Sequence, residues 1–323
     1  MKILVTGCAG FIGYHLSNTL IKNKHDVYGI DNLNNYYDFD LKKSRLKILK
    51  KSHRFKFKKL DIKNFNKLLI FCKKIQPDII VNLAAQAGVR YSFKNPKVYI
   101  DSNIRGFINI LETARLINCK NLIYASSSSV YGDNKTIPFR ESHVVDNPKQ
   151  IYSISKKTNE YMAKTYSKFF KINCIGLRFF TVYGPYGRPD MALFKFVKNI
   201  YLNKSIDLYN HGNHKRDFTY IDDAVKAVLL IINGTNLKNN TSVNKIYNIS
   251  RGKGEKLIDF LKIIEKNIGL KAKINFLPIQ DGDMISTHGS IYKIKKDFGF
   301  DPKIKINEGV KKFVNWYKNF YEI

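Results

Sequence analysis

The sequence predicts an α/β fold in which a doubly wound parallel sheet, covered by helices on both faces, is joined to a smaller second unit. In the first half of the chain, short apolar segments alternate with amphipathic helical patterns. The apolar segments are continuous rather than alternating, which is typical of parallel strands that are buried on both faces. Three glycines, Gly7, Gly10 and Gly13, follow the first segment and precede a helical pattern. Ligands of such sheets bind at the carboxyl ends of the strands, so we expect the functional residues there.

The composition is that of a globular chain with an unusual charge. Of the 323 residues, 44% are hydrophobic and 25% are charged, which excludes wholesale disorder. The formal net charge of +30 fits a nucleic-acid partner, an attraction for anionic substrates, or a general bias toward lysine. Because the lysines are scattered and form no long block, we expect no nucleic-acid partner.

Nothing in the sequence indicates a membrane span or a metal site. No apolar run reaches the roughly 18 residues that a membrane span needs. The four cysteines form no CxxC pair and have no histidines at metal-ligand spacing. We therefore expect a cytoplasmic protein that holds no metal and is not attached to a membrane.

The first strand, Lys2–Thr6, leads into the glycine loop. Residues without a Cβ let the backbone turn sharply and let a phosphate approach closely. The helix after Gly13 directs its free N–H groups and its positive dipole end at that phosphate. The second strand, Asp26–Ile30, ends at Asp31. An acid at this position hydrogen-bonds the adenosine ribose and disfavours a 2′-phosphate, which predicts NAD rather than NADP.

Further strands and helices complete the predicted sheet. The third strand ends at Asp61, which either caps the next helix or contacts adenine. The fourth strand is followed by small residues at 84–88, which suit a close approach of the backbone to a cofactor. The predicted helices lie at 14–24, 41–50 and 96–116, and the remaining predicted strands lie at 55–60, 78–83 and 121–126, with a polar loop at 32–40.

The pattern loosens after residue 178, where glycine and proline become frequent. We expect a dinucleotide-binding domain over 1–178 and a smaller, interleaved α/β domain for the substrate over 179–216 and 250–323. Segment 217–249 is expected to return to the first domain, because 217–232 has the pattern of a sheet-packing helix and 246–249 that of a short strand. The polar residues 234–244 form the predicted linker.

A Tyr-x-x-x-Lys pair, Tyr152 and Lys156, opens a helical pattern after the fifth strand. Four residues make about one helical turn, so the phenol and the ammonium share one face. A nearby ammonium and the positive ring of oxidised NAD lower the pKa of the phenol, so that Tyr152 can act as a general base near neutral pH. An ordinary surface pair has the same spacing.

The serine run Ser126–Ser129 ends the fifth strand. One of its hydroxyls is a candidate to hydrogen-bond a reacting alcohol or the carbonyl that the alcohol becomes. The alternative is a polar strand end without a chemical role.

Together these motifs resemble the extended short-chain dehydrogenase/reductases, which have a Rossmann fold. They cover nearly the whole chain and are Thr6-Gly7-x-x-Gly10-x-x-Gly13, Asp31-Asn32, Leu83-Ala84-Ala85, Tyr152-x-x-x-Lys156 and Arg178–Pro185. Three narrower stretches, Ala87–Ser92, Gly187–Phe194 and Gly212–Asp223, resemble the UDP-glucuronate 4-epimerases.

The resemblance implies an NAD-dependent 4-epimerase that interconverts UDP-glucuronate and UDP-galacturonate through a transient 4-keto sugar. It implies that Tyr152 takes the proton of the sugar 4-hydroxyl, that Ser127 assists it, and that Lys156 binds the nicotinamide ribose. Matching motifs also assign binding positions. The cofactor positions are Gly7, Gly10, Phe11, Ile12, Gly13, Asp31, Asn32, Asp61, Ile62, Leu83, Ala84, Ala85, Asn103, Tyr152 and Lys156, and the substrate positions are Arg90, Ser127, Ser128, Ser129, Thr181, Arg188, Met191, Arg216 and Asp283.

The resemblance also divides the substrate among these positions. It gives Arg216 to the UDP phosphates, Asp283 to the uridine ribose, and Thr181 or Arg188 to the hexuronate carboxylate. An arginine fork can bind a carboxylate bidentately, although Arg188 also fits an ordinary turn residue in a Gly/Pro loop. The family pattern carries a second acid after Gly282-Asp283, where this chain has Ser290.

Other functions remain open. Related dehydratases and decarboxylases carry acids in the stretch Ser127–Ser129, and the lack of acids there argues against both reactions. A 4-epimerase of a neutral or N-acetylated UDP-hexose is the main alternative, followed by a non-catalytic NAD-binding module and a nucleic-acid binder. The resemblance further implies a homodimer joined through the helices at Ser102–Leu116 and Ile151–Phe169.

Overall fold

The computed structural model describes residues 1–234, 243–280 and 283–323. In chain order the elements are β1 (Lys2–Thr6), α1 (Phe11–Lys22), β2 (Asp26–Asp31), α2 (Phe39–Leu49), β3 (Phe55–Lys59), α3 (Phe65–Ile75), β4 (Ile79–Asn82), α4 (Tyr91–Lys94), α5 (Pro96–Tyr99), α6 (Gly106–Leu116), β5 (Asn121–Ser127), α7 (Ile151–Phe170), β6 (Asn173–Phe179), β7 (Thr181–Tyr183), α8 (Ala192–Tyr201), β8 (Ser205–Tyr209), β9 (Lys215–Tyr220), α9 (Ile221–Gly234), β10 (Asn244–Ile249), β11 (Gly254–Lys256), α10 (Leu257–Ile268), β12 (Lys273–Leu277), β13 (Ser286–Thr287), α11 (Tyr292–Phe298) and α12 (Ile306–Tyr321).

A seven-stranded, fully parallel sheet forms the larger unit, with the strand order β10-β6-β5-β4-β1-β2-β3. The order reverses between β1 and β4, because the chain runs outward from β1 to β3 and then crosses back to β4. At such a reversal the loops that leave the two neighbouring strands diverge, and a cleft opens at the carboxyl ends. The predicted doubly wound parallel sheet is confirmed.

Both faces of this sheet are buried, which explains the continuous apolar strands. Successive side chains of a strand point to opposite faces. Ile3 and Val5 of β1 therefore join the core that α1, α2 and α9 complete, whereas Leu4 joins the core on the other face with α3, α6 and α7. The central strand β4 is buried at every position, whereas the edge strand β3 alternates Phe and Lys and leaves Lys56, Lys58 and Lys59 exposed.

The smaller unit is built on two short sheets. Strand β9 pairs in parallel with β7 and β13 and antiparallel with β11, and β8 pairs in parallel with β12. Two elements from the second half of the chain belong to the large sheet instead, because β10 pairs with β6 and α9 packs against α1. The chain thus crosses between the two units more than once.

The prediction of a helix over 217–232 was wrong at its start. Residues 217–220 lie in β9, and α9 begins at Ile221. The Asp217 carboxylate accepts the backbone N–H groups of Arg251 and Gly252, so a long-range contact holds this segment against the neighbouring loop.

Other bounds also differ from the prediction. Helix α1 begins at Phe11, three residues before the predicted start at Tyr14. The predicted helix over 96–116 consists of α5, a π-helical turn at Ile100–Arg105, and α6. The predicted linker over 234–244 falls largely on residues 235–242, which lie outside the described residues.

Within the described ranges, no helix is both long and apolar enough to cross a membrane. The same ranges contain no group of three or more His, Cys, Asp or Glu side chains arranged as a metal site.

Candidate active site

A cavity of about 730 Å³ opens at the carboxyl ends of the central strands and is covered on its other side by the smaller unit. All the predicted cofactor and substrate positions except Asn103 line it. Its wall also carries the cationic side chains of Lys42, Lys94 and Lys195 beside the predicted arginines. The cavity is therefore suited to a ligand with several negative charges.

The glycine loop needs its glycines because the backbone of α1 approaches that of the loop closely. A Cβ on Gly13 would lie 2.1 Å from the Gly7 carbonyl oxygen, and a Cβ on Gly10 would lie 2.9 Å from the same atom. Gly7 has a φ of +69°, which L side chains rarely adopt. Gly10, the N-cap of α1, offers no side chain to the first turn. The first N–H groups of α1 therefore face the cavity without a side-chain cap, as an anion-binding helix N-terminus requires.

The Asp31 carboxylate fixes this loop from the end of β2. It accepts the N–H of Ala9 at 3.1 Å and that of Leu33 at 2.8 Å. Burial raises the pKa of Asp31, while these hydrogen bonds and the nearby Lys42 ammonium oppose the rise.

Asp61 does not cap the helix that follows it, so one of its two predicted roles was wrong. The N-cap of α3 is Asn64, whose side chain accepts the N–H of Lys67 at 3.1 Å. Asp61 instead accepts the Asn32 amide at 3.0 Å and the N–H of Lys63 at 2.9 Å, at the wall of the cavity.

Tyr152 and Lys156 lie on one face of α7, opposite the end of β5. Ser127 hydrogen-bonds the Tyr152 hydroxyl, and the Lys156 ammonium donates to the Ala125 carbonyl at 2.9 Å. Burial lowers the pKa of Lys156 to about 8. Burial raises the pKa of Tyr152, and the Ser127 hydrogen bond and the Arg188 charge lower it in part. The expected lowering by Lys156 is thus not found in the protein alone, because the ammonium binds a backbone carbonyl.

The hydroxyls of the serine run Ser126–Ser129 have different partners. Ser127 Oγ accepts the N–H and the hydroxyl of Ser129, at 3.2 and 3.0 Å, so these two hydroxyls are connected at the cavity wall, where Ser128 also lies. Ser126 donates to the buried carboxylate of Glu160 at 2.6 Å. Ser126 is thereby held by the protein interior.

Asn103, predicted to bind the cofactor, is not among the residues that line the cavity, and its contact with the cofactor stays a prediction. Its side chain pairs with the backbone of Gln86, accepting the N–H at 2.8 Å and donating to the carbonyl at 3.0 Å. It also donates to Ser155 Oγ at 3.0 Å, and Ser155 donates to the Tyr152 carbonyl at 2.7 Å. Asn103 therefore connects the loop after β4 to the helix turn that carries Tyr152.

Arg188 and Thr181 enter the cavity from the smaller unit. The Arg188 guanidinium pairs with Asp190 through two hydrogen bonds, with Nε donating to Oδ1 at 3.0 Å and Nη2 donating to Oδ2. The pair is largely covered, with 20% of the Arg188 side chain and 30% of the Asp190 side chain exposed. Met191, whose N–H bonds the Arg188 carbonyl at 3.1 Å, completes this turn.

Arg90, Arg216 and Asp283 meet at another part of the cavity wall. Arg90 Nη2 donates to Asp283 Oδ2 at 3.1 Å. Arg216 Nη1 donates to the carbonyls of Lys215 and Ile285, and the nearby Asp283 raises the pKa of Arg216 against the lowering by burial. Residue 282, part of the motif that suggested Asp283, lies outside the described residues.

Ser290, where the family pattern has an acid, has a local structural role. Its hydroxyl accepts the N–H of Tyr292 at 3.3 Å at the start of α11, and its N–H donates to the Phe139 carbonyl at 2.8 Å.

Sequence reasoning missed several residues that shape the cavity. Arg45 is fully buried and donates to the carbonyls of Ala9 and Tyr186, at 2.8 and 2.6 Å. Tyr36 and Asp190 lie beside Arg188 in the wall. The two-residue spacing between Arg188 and Asp190 is a charge pattern from which their pairing was predictable. Arg45 and Tyr36 contact residues far away in sequence, so no local pattern indicates them.

Comparison with known proteins agrees with this geometry. Residues 3–250 match the family described as the NAD dependent epimerase/dehydratase family. Protein CapI of Staphylococcus aureus is 47% identical over 334 residues, covering 100% of both chains. A probable UDP-glucuronate 4-epimerase of Rhizobium meliloti is 41% identical and covers 99% of this chain and 98% of its own. The crystal structure of a Bacillus cereus UDP-glucuronic acid 4-epimerase, in complex with UDP-glucuronic acid and NAD, superimposes with a TM-score of 0.91 at 34% identity, covering 99% of this chain and 100% of that one.

Proposed function

The chain belongs to the NAD-dependent epimerase/dehydratase family, and on that premise we propose that it is a UDP-glucuronate 4-epimerase that uses NAD. The proposal is carried by one observation: Tyr152, Ser127 and Lys156 line the same cavity as the glycine loop and Arg188. A general base, a dinucleotide cradle and a carboxylate-binding fork are thus combined in one site. The names of the Rhizobium meliloti relative and of the Bacillus cereus structure support the substrate.

The residues present fit NAD. Gly13 lets α1 pack directly against the glycine loop, because a Cβ there would lie 2.1 Å from the Gly7 carbonyl oxygen, and the first turn of α1 carries no side-chain cap. These groups would hold the pyrophosphate, with Asp31 and Asn32 at the adenosine ribose and Lys156 at the nicotinamide ribose. When bound, NAD supplies the acceptor that takes a hydride from carbon 4 of the sugar and gives it back to the 4-keto form.

The protein groups then move and hold one proton. Tyr152 takes the proton from the sugar 4-hydroxyl and returns it to the same oxygen after the opposite face of the sugar is presented. Burial raises the pKa of Tyr152, and the Ser127 hydrogen bond and the charge of Arg188 offset part of that rise, which favours the phenolate that this step needs. Lys156, with a pKa of about 8, is still mostly charged at neutral pH, and on this proposal its ammonium binds the nicotinamide ribose.

The remaining positions divide between the two ends of the substrate. We assign Arg188 to the hexuronate carboxylate, because a guanidinium binds a carboxylate with two parallel hydrogen bonds. We assign Arg216 to the UDP phosphates and Asp283 to the uridine ribose. On this proposal, residues 1–178 and part of 217–249 bind NAD, and the smaller unit binds the nucleotide sugar.

One observation favours a second substrate class. Because Arg188 is already paired with Asp190, a neutral UDP-hexose would meet a wall of little net charge at this point. Replacing Arg188 by alanine separates the two possibilities. The change should reduce turnover of UDP-glucuronate severely and that of a neutral UDP-hexose far less, because the neutral substrate loses only the effect of the Arg188 charge on the Tyr152 pKa.

The test of the proposed function is the product spectrum. Purified protein incubated with UDP-glucuronate should form UDP-galacturonate, and Tyr152→Phe should reduce the rate by about 10²-fold or more. Tyr292→Phe, which removes an exposed phenol from α11, is the matched control and should keep the full rate. Conversion of UDP-glucose or UDP-N-acetylglucosamine alone would contradict the substrate, and full activity of Tyr152→Phe would contradict the mechanism.

The quaternary state and the location belong to the same proposal. Helices α6 and α7, with the turn before α6, expose the apolar side chains of Ile100, Leu116, Ile154, Tyr161 and Phe169, which would be covered in a homodimer. Sedimentation of the wild type and of Phe169→Asp should give a dimer and a monomer. We place the enzyme in the cytoplasm, where its buried, unbridged cysteines stay reduced, and we assign the net charge of +30 to attraction of anionic substrates rather than nucleic acid.

A further inference from the structure

The Arg188 guanidinium uses only one of its edges within the protein. Nε and one Nη2 hydrogen bind the two oxygens of Asp190. A guanidinium has five N–H donors in a fixed plane, so the edge formed by Nη1 and the second Nη2 hydrogen is not used by this pair. In the described part of the chain, Nη1 donates no hydrogen bond. It is also not one of the buried atoms that lack a partner, so it must be accessible. The second edge is thus open to the cavity that Arg188 lines.

Asp190 also interacts with Tyr36, which lies in the loop after β2. Burial raises the pKa of Tyr36, and the Asp190 charge and a side-chain hydrogen bond with Asp190 raise it further. The Tyr36 ring packs against Tyr91 with the centroids 5.1 Å apart. A Cβ on Gly88 would lie only 2.4 Å from the Tyr36 hydroxyl oxygen, and Gly88 has a φ of +104°. The loop after β4 therefore has the shape that Tyr36 needs in order to reach Asp190.

Successive contacts therefore connect the loop after β4 to Tyr36, Tyr36 to Asp190, and Asp190 to Arg188. A free arginine side chain has rotamer entropy, which is lost when the fork is fixed for a ligand. If Asp190 fixes the fork before the ligand arrives, this loss does not reduce the affinity for the ligand. A second carboxylate can then bind the open edge in the plane of the guanidinium.

We propose that Asp190 is a positioning residue that holds Arg188 with its open edge toward the substrate carboxylate and so sets the preference for a uronate over a neutral sugar. The inference deepens the proposed function and rests on it. The opposite role, in which Asp190 competes with the substrate for Arg188, would require the same two hydrogen bonds to break in every binding event. The use of one edge only, together with the hold of Tyr36 on Asp190, favours positioning.

Positioning and competition predict opposite changes in the KM for UDP-glucuronate when Asp190 is replaced. For positioning, Asp190→Asn should raise the KM for UDP-glucuronate by about tenfold, a free-energy change of about 1.4 kcal/mol, and change kcat little. The KM for UDP-glucose, or its dissociation constant by calorimetry where turnover is too slow, should change by less than about twofold. Tyr36→Phe should act in the same direction with a smaller effect, and it carries the test if Asp190→Asn does not fold.

A double-mutant cycle separates positioning from a general loss of structure. In an Arg188→Ala background, Asp190→Asn should have no further effect on the ratio of the two KM values. An unchanged or lowered KM for UDP-glucuronate in Asp190→Asn would overturn the proposal, as would equal effects on both sugars. If the wild type does not epimerise UDP-glucuronate at all, the proposed function fails instead, so the two failures are distinguishable.

Discussion

The buried ion pair of Glu160 and Arg178 offers the sharpest test of how the site is supported. Arg178 on β6 and Glu160 on α7 expose only 2% and 3% of their side chains, and two hydrogen bonds of 2.9 and 2.8 Å join them. Ser126 donates to the same carboxylate, one residue before Ser127. The Arg178 guanidinium also lies 4.7 Å from the centre of the Tyr131 ring.

Glu160→Gln removes the negative charge and keeps the shape. The Arg178 cation then remains in the interior without a carboxylate. Breaking a buried pair in this way costs about 3–5 kcal/mol, because the remaining charge stays desolvated. Since a folded domain has a total stability of about 5–15 kcal/mol, the variant should lose about a fifth of its free energy of unfolding or more.

The assay is urea unfolding, followed by far-UV circular dichroism and by the fluorescence of Trp316, the single tryptophan of the sequence. Coincidence of the two curves tests for two-state behaviour. Glu308→Gln is the matched control, because Glu308 pairs with Lys312 on the surface of α12, where about half of each side chain is exposed (49% and 45%). An exposed pair contributes less than about 1 kcal/mol. If Glu160→Gln is no more destabilising than Glu308→Gln, the conclusion that the buried Arg178 charge depends on the Glu160 carboxylate is refuted.

Three further predictions concern the cofactor loop, the Tyr152 helix and the Asp217 carboxylate. Gly13→Ala should raise the dissociation constant for NAD about fivefold or more, because its Cβ would lie 2.1 Å from a carbonyl oxygen and such overpacking costs about 1–3 kcal/mol; an unchanged dissociation constant by calorimetry would contradict this. Asn103→Ala should lower kcat about tenfold with KM nearly constant, since about 1–3 kcal/mol is lost when Gln86 and Ser155 lose their partner; steady-state kinetics showing an effect on KM alone would contradict it. Burial raises the pKa of Asp217 to about 6, so its protonation stabilises the fold, and this contribution is fully present below the unfolded pKa near 4 and is lost as the pH rises through about 6. The free energy of unfolding of wild type relative to Asp217→Asn should therefore fall by up to about 3 kcal/mol between pH 4 and pH 7, and a difference that does not vary with pH would refute the assignment.

Much of the fold was predictable because its cause is local. Continuous apolar strands such as Ile79–Asn82 indicate burial on both faces, and the spacing of Gly7, Gly10 and Gly13 indicates the loop before α1. The start of α9 was not predictable in the same way. Residues 217–220 precede a helical pattern directly, and only their backbone pairing with β7 and β11, which are distant in the sequence, makes them part of a strand.

The candidate site was likewise predictable only where its cause is local in the sequence. The side chains of Tyr152 and Lys156 were placed together because one helical turn separates them, and the structure puts both in the cavity wall. The partner of the Lys156 ammonium, the Ala125 carbonyl, was not predictable because it lies 31 residues away. Asn103 shows the same limit, since the sequence gives its type and position but not that its amide is used up by the backbone of Gln86.

Arg45 connects the glycine loop on one side of the cavity to the turn before Arg188 on the other. Its guanidinium is fully buried, and all of its hydrogen-bonded partners in the described chain are neutral oxygens: Ala9 in the glycine loop, the Tyr37 hydroxyl, and the carbonyls of Tyr186 and Gly187. Several acceptors converge on one buried cation because charge-assisted hydrogen bonds offset part of its desolvation cost. Arg188, which we assign to the substrate carboxylate, is the next residue after Gly187, so its turn is fixed to the same Arg45 side chain as the glycine loop. A displacement of the glycine loop must therefore strain the Arg188 turn, and the orientation of the Arg188 open edge depends on α2 as well as on Asp190.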